Sequence, residues 1–215
     1  MEGARAALSA DNGSYLLQAC SDGIVRCSYS PKEPNPNYSA LGISPPRTSK
    51  CVWKAAETAD TLSLQAGSIQ LDIGLSSGHF LWRDAATGKE LLQEGNKELT
   101  SVPVVKYSTG GEAPKIRRVK TVDGERNFIE NLKPYTDREA YRGKIFFQWR
   151  HDEQLHGLGQ AEEGIYNYRG QTQYLYQHNM RTPIPFLISD QSYGILFDCG
   201  SLMTFNDDAR GSYMF

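Results

Sequence analysis

The stretch LYQHNMRTPIPF, which runs from Leu175 to Phe186, gathers the side chains of this sequence that are best suited to chemistry. His178, Asn179 and Arg181 lie within four residues of one another, and aromatic residues and two prolines flank them. Imidazole can bind a metal or move a proton, whereas amide and guanidinium groups donate hydrogen bonds. The cluster is therefore compatible with a metal site, a catalytic centre, a sugar-binding loop or a turn into a strand.

A metal site needs three or four convergent ligands, and the soft candidates are His156, His178 and Cys199. These three residues share no ligand spacing, and the four cysteines of the chain form no Cys-x-x-Cys pair. We therefore expect ordinary loop histidines and reduced, mostly buried thiols. Neither a metal nor another cofactor is expected.

Glycosidic cleavage needs two carboxyl groups, about 5–5.5 Å apart for retention or about 6.5–9.5 Å apart for inversion. Glu162 and Glu163 are adjacent, so on an extended segment their side chains would point apart. No Gly-x-Ser-x-Gly elbow occurs, and HGLGQ lacks the third glycine and the following helix of a phosphate-binding loop. The residue pattern alone thus identifies no catalytic residue.

The segment IYNYRGQTQYLYQHNMR, which ends at Arg181, is dense in aromatic, amide and guanidinium side chains. Sugars present hydroxyls that need such polar partners and C–H faces that stack on aromatic rings, so the composition suits carbohydrate contact. The same composition is also common in polar interface loops. Both interpretations remain open at the level of composition.

The bulk composition excludes several classes of partner. The chain has 215 residues, 39% hydrophobic and 22% charged, with a formal net charge of -2, which predicts no bulk attraction to nucleic acid or to an anionic membrane. The basic run KIRRVK is followed by acidic residues and indicates a solvated strand face. No apolar run has the length of a membrane-spanning helix or, near Met1, of a signal peptide. We expect a cytoplasmic protein, or a periplasmic or secreted one if a signal has been removed.

Period-two alternation dominates the chain and predicts the strands that position these residues. SIQLDIGL places Ile69, Leu71, Ile73 and Leu75 on one strand face, and HFLWRD does the same for Phe80 and Trp82. KIFFQWR sets Ile145, Phe147 and Trp149 on a common side, and HGLGQ then forms a tight turn. FLIS and YGILFD form a hairpin across DQS. Helical periodicity is almost absent, so the prediction is one all-β sandwich domain over residues 1–215.

The order of features from Leu155 onward resembles glycoside hydrolase family 31, the α-glucosidases and α-xylosidases. The features are the Gly-Leu-Gly of HGLGQ, the loop EGIYNYRG, the motif QHN, the IPF strand and the YGILF hairpin, within about 45 residues. The NYRG and QHN motifs are most similar to those of bacterial α-xylosidase-type members. Upstream, GIVRCSYSP resembles an early strand of the same domain.

The resemblance implies a galactose-mutarotase-like β-sandwich, truncated before its last strands. It also implies a larger retaining α-glycosidase in which a (β/α)₈ barrel, without a match here, carries both catalytic carboxylates. The chain would pack on that barrel as an intramolecular partner and supply a loop to the −1 subsite for an α-linked oligosaccharide. Asn179 stands where many members carry Asp, and His178 and Arg181 are further substrate-binding candidates. No residue of this chain is expected to be catalytic.

Two other functions remain as alternatives. One is a stand-alone carbohydrate-binding module, and the other is a mutarotase-like sugar epimerase, which would need an acid and a base on the sheet. An exposed edge, where the barrel and last strands belong, would also allow dimerisation.

Overall fold

The computed structural model describes residues 5–10, 13–32, 34, 35, 39, 41 and 53–215, and these residues form strands and no helix. Most of residues 31–50, and Cys51, lie outside the described residues. In chain order the strands are β1 (Arg5–Ala10), β2 (Gly13–Ser21), β3 (Ile24–Ser30), β4 (Lys54–Glu57), β5 (Thr61–Ala66), β6 (Ile69–Gly74), β7 (Phe80–Asp84), β8 (Glu90–Ser108), β9 (Ile116–Thr121), β10 (Gly124–Ile129), β11 (Lys133–Gln148), β12 (Leu155–Gln160), β13 (Thr172–Leu175), β14 (Thr182–Ser189), β15 (Tyr193–Leu196), β16 (Met203–Asp208) and β17 (Gly211–Met214). Among the described residues, no helix has the length and apolar character needed to cross a membrane.

The chain divides into two compact units. Unit 1 comprises residues 1–98 and 144–215, as far as they are described, and unit 2 comprises Leu99–Gly143. Strands β8 and β11 begin in one unit and end in the other.

Three sheets contribute to unit 1. A nine-stranded sheet has the order β13-β16-β17-β11-β8-β7-β6-β5-β4, and two three-stranded sheets have the orders β1-β2-β3 and β12-β14-β15. Neighbouring strands within these sheets pair antiparallel, as the Ile69↔Asp84 and Phe186↔Leu196 registers illustrate. The fold is therefore the all-β, sandwich-like architecture that the alternation predicted.

One hydrophobic cluster joins the sheets of unit 1. Its most buried large side chains come from all three sheets: Leu17, Leu64, Leu71, Phe80, Leu155, Leu187 and Phe205. Full burial of such a side chain contributes about 1.5–3 kcal/mol, so this cluster is the main source of stability in unit 1.

The core faces agree with the sequence prediction except at one strand end. Leu71, Ile73, Phe80 and Trp82 are buried together, and β14 and β15 form the predicted hairpin. Leu75 is instead 49% exposed, because β6 ends at Gly74, whose N–H donates to the His79 carbonyl in a turn. The prediction for Leu75 was therefore wrong.

The segment HGLGQ is also different from its prediction, since it forms strand β12 and not a turn. Gly157, Leu158 and Gly159 all have positive φ angles, of 104°, 59° and 88°, and the register with β14 shifts there. A side chain at Gly159 would overlap the Thr182 carbonyl oxygen. The glycines thus let two backbones approach closely, which is a bulge in a strand.

Unit 2 contains the β9-β10 hairpin, in which Ile116 faces Ile129 and Lys120 faces Glu125. None of the described residues of unit 2 is fully buried. The run KIRRVK lies mostly on exposed positions of β9, as expected for a solvated strand face. Several large hydrophobic side chains of unit 2 are exposed: Val105, Tyr107, Ile116, Val122, Phe128, Ile129, Leu132, Tyr135 and Tyr141.

Candidate functional site

The cluster singled out in the sequence forms a tight turn between β13 and β14, which we call the Asn179 turn (residues 177–181). The Arg181 N–H donates to the His178 carbonyl at 3.2 Å, and the Gln177 side-chain amide donates to the Arg181 carbonyl at 2.6 Å. Met180 has a positive φ of 61°, a conformation that costs energy for a side chain other than glycine. Two hydrogen bonds thus close the turn, and its backbone is strained at Met180.

Asn179 lies at the tip of this turn, and its side chain is exposed. Within the part of the chain that the structure describes, its amide forms no hydrogen bond with protein. The amide can therefore both donate to and accept from an external hydroxyl, whereas an ionised Asp could only accept.

Arg181, another predicted substrate-binding residue, has a partner within the protein. Its guanidinium forms an ion pair with Glu163, and its side chain is 19% exposed. This contact fastens the loop around Glu163 to the Asn179 turn. Glu163, considered above as half of a carboxylate pair, is thus engaged by Arg181, while Glu162 is exposed.

The structure does not bring together the three soft candidates for a metal site. His156 contacts the backbone carbonyl of Tyr166 through Nδ1 at 2.5 Å, and His178 lies in the exposed Asn179 turn. No group of three or more His, Cys, Asp or Glu side chains among the described residues could hold a metal ion. Of the thiols in this part of the chain, Cys27 is exposed and Cys20 and Cys199 are half-buried, contrary to the expectation of mostly buried thiols.

The loop NYRG belongs to the polar segment considered for sugar contact. Its side chains form contacts within the protein. The Asn167 side-chain oxygen accepts hydrogen bonds from the backbone N–H groups of Leu155 and Arg169, each at 3.1 Å. Tyr168 is buried and packs edge-on against Phe205, with ring centroids 6.3 Å apart. This part of the segment therefore holds the scaffold.

Arg169 connects this loop to the sheet. Its Nε donates to Asp207 Oδ2 at 2.9 Å, and its Nη1 donates to the carbonyls of Arg150 and Glu153 at 2.7 and 3.0 Å. Desolvation opposes ionisation of Asp207, but hydrogen bonds from Ser212, the Gly170 N–H and Arg169 outweigh it and hold the pKa of Asp207 below its usual value. The Asp207 carboxylate is therefore a charged anchor.

A second buried carboxylate, Glu153, was not identified from the sequence. It accepts hydrogen bonds from Ser189 Oγ at 2.5 Å, from the Arg150 N–H at 2.9 Å and from the Tyr193 hydroxyl. Burial, together with the hydrogen bond to Glu153, raises the pKa of Tyr193. These partners lie 36 and 40 residues away along the chain for Ser189 and Tyr193, so no local spacing could have revealed them.

The outward face of the β12-β14-β15 sheet is apolar. Ile184, Phe186, Ile188 and Leu196 are each between 37% and 50% exposed, and we call them the outer strip. Beside them lies an open groove of about 380 Å³. Its walls are Gly157, Gly159, Gln160, Thr182, Ile184 and Phe186.

An aromatic row leads into the Asn179 turn. Tyr174, Tyr176 and His178 occupy alternate positions of an extended segment, and consecutive ring centroids are 6.1 and 6.2 Å apart. All three side chains are exposed. The row and the Asn179 amide together form the candidate site.

The fold and the site define an all-β sandwich domain with an exposed aromatic and amide surface, and solved structures of GH31 enzymes share its fold. No family model matches the sequence. The GH31 α-xylosidase of Xanthomonas citri matches with a TM-score of 0.67 and 24% identity, over 94% of this chain and 19% of that chain. A GH31 α-xylosidase from a soil metagenome, complexed with xylose, matches with a TM-score of 0.66 and 20% identity, over 100% of this chain and 30% of that chain.

A third match is the GH31 dextranase of Flavobacterium johnsoniae, complexed with isomaltotriose. Its TM-score is 0.62 and its identity 20%, over 99% of this chain and 23% of that chain. At these identities the likeness establishes the fold, so the predicted resemblance to GH31 enzymes is confirmed at that level. The chain spans between 19% and 30% of the length of these three enzymes.

Proposed function

We propose that residues 1–215 are the N-terminal β-sandwich domain of a larger retaining family 31 α-glycosidase, an α-xylosidase or α-glucosidase. The observation that carries this proposal is the coverage. GH31 enzymes match almost the whole of this chain, yet the chain spans at most 30% of any of the three. The order of the HGLGQ, NYRG, QHN and IPF motifs supports the same family.

The domain itself is non-catalytic in this proposal. Of the carboxylates considered above, Glu163 is paired with Arg181, and Glu153 is buried among its own hydrogen-bond donors. The two catalytic carboxylates belong to a barrel elsewhere in the larger protein. No cofactor takes part.

The contribution of the domain to the sugar subsite is the Asn179 turn. The exposed Asn179 amide binds a hydroxyl of the α-linked sugar, and His178 adds a polar ring beside it. The role of Arg181 is to position the turn, because its ion pair with Glu163 holds the turn in place. The strained Met180 backbone supports this role, since such strain persists where the surroundings hold a functional geometry.

The outer strip supplies the packing surface for the catalytic barrel. Four neighbouring exposed hydrophobic side chains on one sheet face are typical of a surface that another body covers. We further propose a cytoplasmic enzyme, and dimerisation through an exposed sheet edge where the barrel and the last strands belong.

A direct assay tests the proposal. The purified 215-residue chain should release no nitrophenol from p-nitrophenyl α-xyloside or α-glucoside, whereas the full-length gene product should hydrolyse one of them. Hydrolysis by the purified chain would overturn its non-catalytic role. Failure of the full-length protein on both substrates would overturn the assignment to an α-glycosidase.

A second candidate function, a stand-alone carbohydrate-binding module, is favoured by the aromatic row of Tyr174, Tyr176 and His178. It differs from the first in needing no barrel. Tight, saturable binding of an oligosaccharide by a gene product that ends near Phe215 would favour it.

A further inference from the structure

We propose that the outer face around β13, with its row of rings at Tyr174, Tyr176 and His178, is an extended binding track for a neutral oligosaccharide. The track would hold sugar units beyond the one bound at Asn179, so the inference deepens the proposed function and rests on it. The ligand is a chain of at least three pyranose units.

The geometry of the row is the first support. Side chains two apart on an extended strand lie on the same face, and here this places three rings in line toward the Asn179 turn. Their centroid spacings of 6.1 and 6.2 Å are comparable to the length of one sugar unit. Tyr174 and Tyr176 are 47% and 54% exposed, so both side chains are accessible to a ligand.

The row also continues sideways across the sheet. Tyr174 faces Thr204 on β16, and Thr204 in turn exchanges both backbone hydrogen bonds with Phe215, at 2.7 and 3.0 Å. Phe215 is exposed as well. The inward neighbours Gln173 and Leu175 are buried, which fixes the tyrosines on the outer face.

Charge is the second, independent support. Three ion pairs of unit 1 are closed within the protein: Asp208 with Arg210 at 2.7 Å, Asp207 with Arg169 at 2.9 Å, and Glu163 with Arg181. An anionic or cationic ligand would find no unpaired countercharge among these groups. Apolar C–H faces and hydroxyls, which a neutral sugar presents together, fit stacking rings beside the hydroxyl of Thr204 and the amide of Asn179.

The first experiment uses the chain itself with isomaltotriose as an α-linked probe and cellotriose as a β-linked probe. Ligand-detected saturation-transfer NMR should show transfer to ring protons of at least one trisaccharide, and weaker transfer to glucose. Tyr176→Ala should weaken binding about three- to ten-fold, as expected for loss of one stacked ring, and Tyr176→Phe should retain it. The two probes distinguish an α-linked from a β-linked ligand.

Tyr107→Ala is the matched control, because Tyr107 is a comparably exposed tyrosine that belongs to unit 2. It should leave the transfer signal unchanged. No transfer to either trisaccharide, or an equal loss in Tyr107→Ala and Tyr176→Ala, would overturn the track. Circular dichroism of each variant separates lost binding from lost folding.

The second experiment separates this inference from the proposed function. In the full-length protein, Tyr176→Ala should raise KM for an oligosaccharide substrate by a similar factor and leave KM for p-nitrophenyl α-glycosides unchanged. An equal rise for both substrates would overturn the track and leave the glycosidase assignment intact. No hydrolysis of any α-glycoside would instead overturn the glycosidase assignment, while the NMR result on the chain alone would stand by itself.

Discussion

Asn179 is the residue whose environment gives it most freedom to act on a ligand. Its neighbours in the turn are engaged, since Gln177 binds the Arg181 carbonyl and Arg181 binds Glu163, but the Asn179 amide is exposed. A polar group that does no structural work at a strained turn is a reasonable functional candidate.

The first prediction therefore concerns Asn179→Ala. In the larger α-glycosidase proposed above, this substitution should raise KM about two- to ten-fold, because one hydrogen bond contributes about 0.5–1.5 kcal/mol. The free energy of unfolding should change by less than about 0.5 kcal/mol, as for an exposed side chain. Steady-state kinetics and chemical denaturation measure the two quantities.

Asn127→Ala, at an exposed asparagine of β10, is the control for this substitution and should leave KM unchanged. Asn179→Asp should lie between wild type and Asn179→Ala, because it keeps the acceptor and loses the donor. A normal KM in Asn179→Ala would contradict the predicted role.

The second prediction concerns Arg169, whose guanidinium satisfies Asp207 and two backbone carbonyls. Arg169→Ala leaves a carboxylate with 11% of its side chain exposed without its cation, so it should destabilise unit 1 by about 3 kcal/mol. Arg210→Ala is the control, because the Arg210–Asp208 pair is exposed and should matter little. Thermal denaturation measures both, and equal losses would contradict the anchor role of Arg169.

The pH dependence of Arg169 variants follows from the same pair. Because the folded protein holds the pKa of Asp207 below the unfolded value of about 3.9, this carboxylate contributes stability above that pH and loses it as pH falls through the folded pKa. Arg169→Ala should lose part of this contribution. The stability difference between wild type and variant should therefore be larger at neutral pH than near pH 3, and a constant difference would contradict it.

At the scale of elements, the pairing of β12 with β14 depends on glycine. β12 carries the HGLGQ motif and β14 follows the Asn179 turn, so their close approach fixes the base of the candidate site. The bulge at Gly157–Gly159 is what allows two backbones to come together there.

The third prediction is that Gly159→Ala destabilises unit 1 by about 3 kcal/mol or more. The added carbon would meet the Thr182 carbonyl, and the φ of 88° is unfavourable for alanine. Gly164→Ala is the matched control, since Gly164 also has a positive φ, 65°, but open space around its Cβ position. It should cost about 1–2 kcal/mol, and equal melting temperatures for the two variants would contradict the close approach.

At the scale of the whole molecule, the two units differ in how their hydrophobic residues are used. Unit 1 holds every fully buried hydrophobic side chain of the described part, from Ala6 to Met214. Unit 2 exposes Tyr107, Phe128 and Ile129 among others, and its hairpin β9-β10 has only two strands. A two-stranded hairpin has marginal stability alone.

The fourth prediction is therefore a difference in local stability. Amide hydrogens of β9 and β10 should exchange with solvent much faster than those of β6 and β7, because local opening of unit 2 exposes little buried surface. Hydrogen exchange followed by mass spectrometry measures this directly. Equal protection of the two regions would show that unit 2 is covered by something that its own residues do not provide.

How far the sequence could be interpreted depended on the range of the interactions involved. Alternation identified the core faces at Leu71, Phe80 and Trp82, because side-chain direction in a strand is a local property. It failed at Leu75 because a strand end is set by a turn, and it missed the bulge in HGLGQ because that conformation depends on the partner strand.

The sequence alone thus determined an all-β sandwich and located its polar cluster, since both follow from residue type and spacing. Only the tertiary structure decided which polar groups hold the scaffold and which face outward. Arg169 meets Asp207 38 residues away, and Glu153 meets Tyr193 40 residues away, so their roles became visible only once the sheets were assembled. Asn179 remained exposed because no strand brings it a partner, which is why the candidate site is the Asn179 turn and not the loop NYRG.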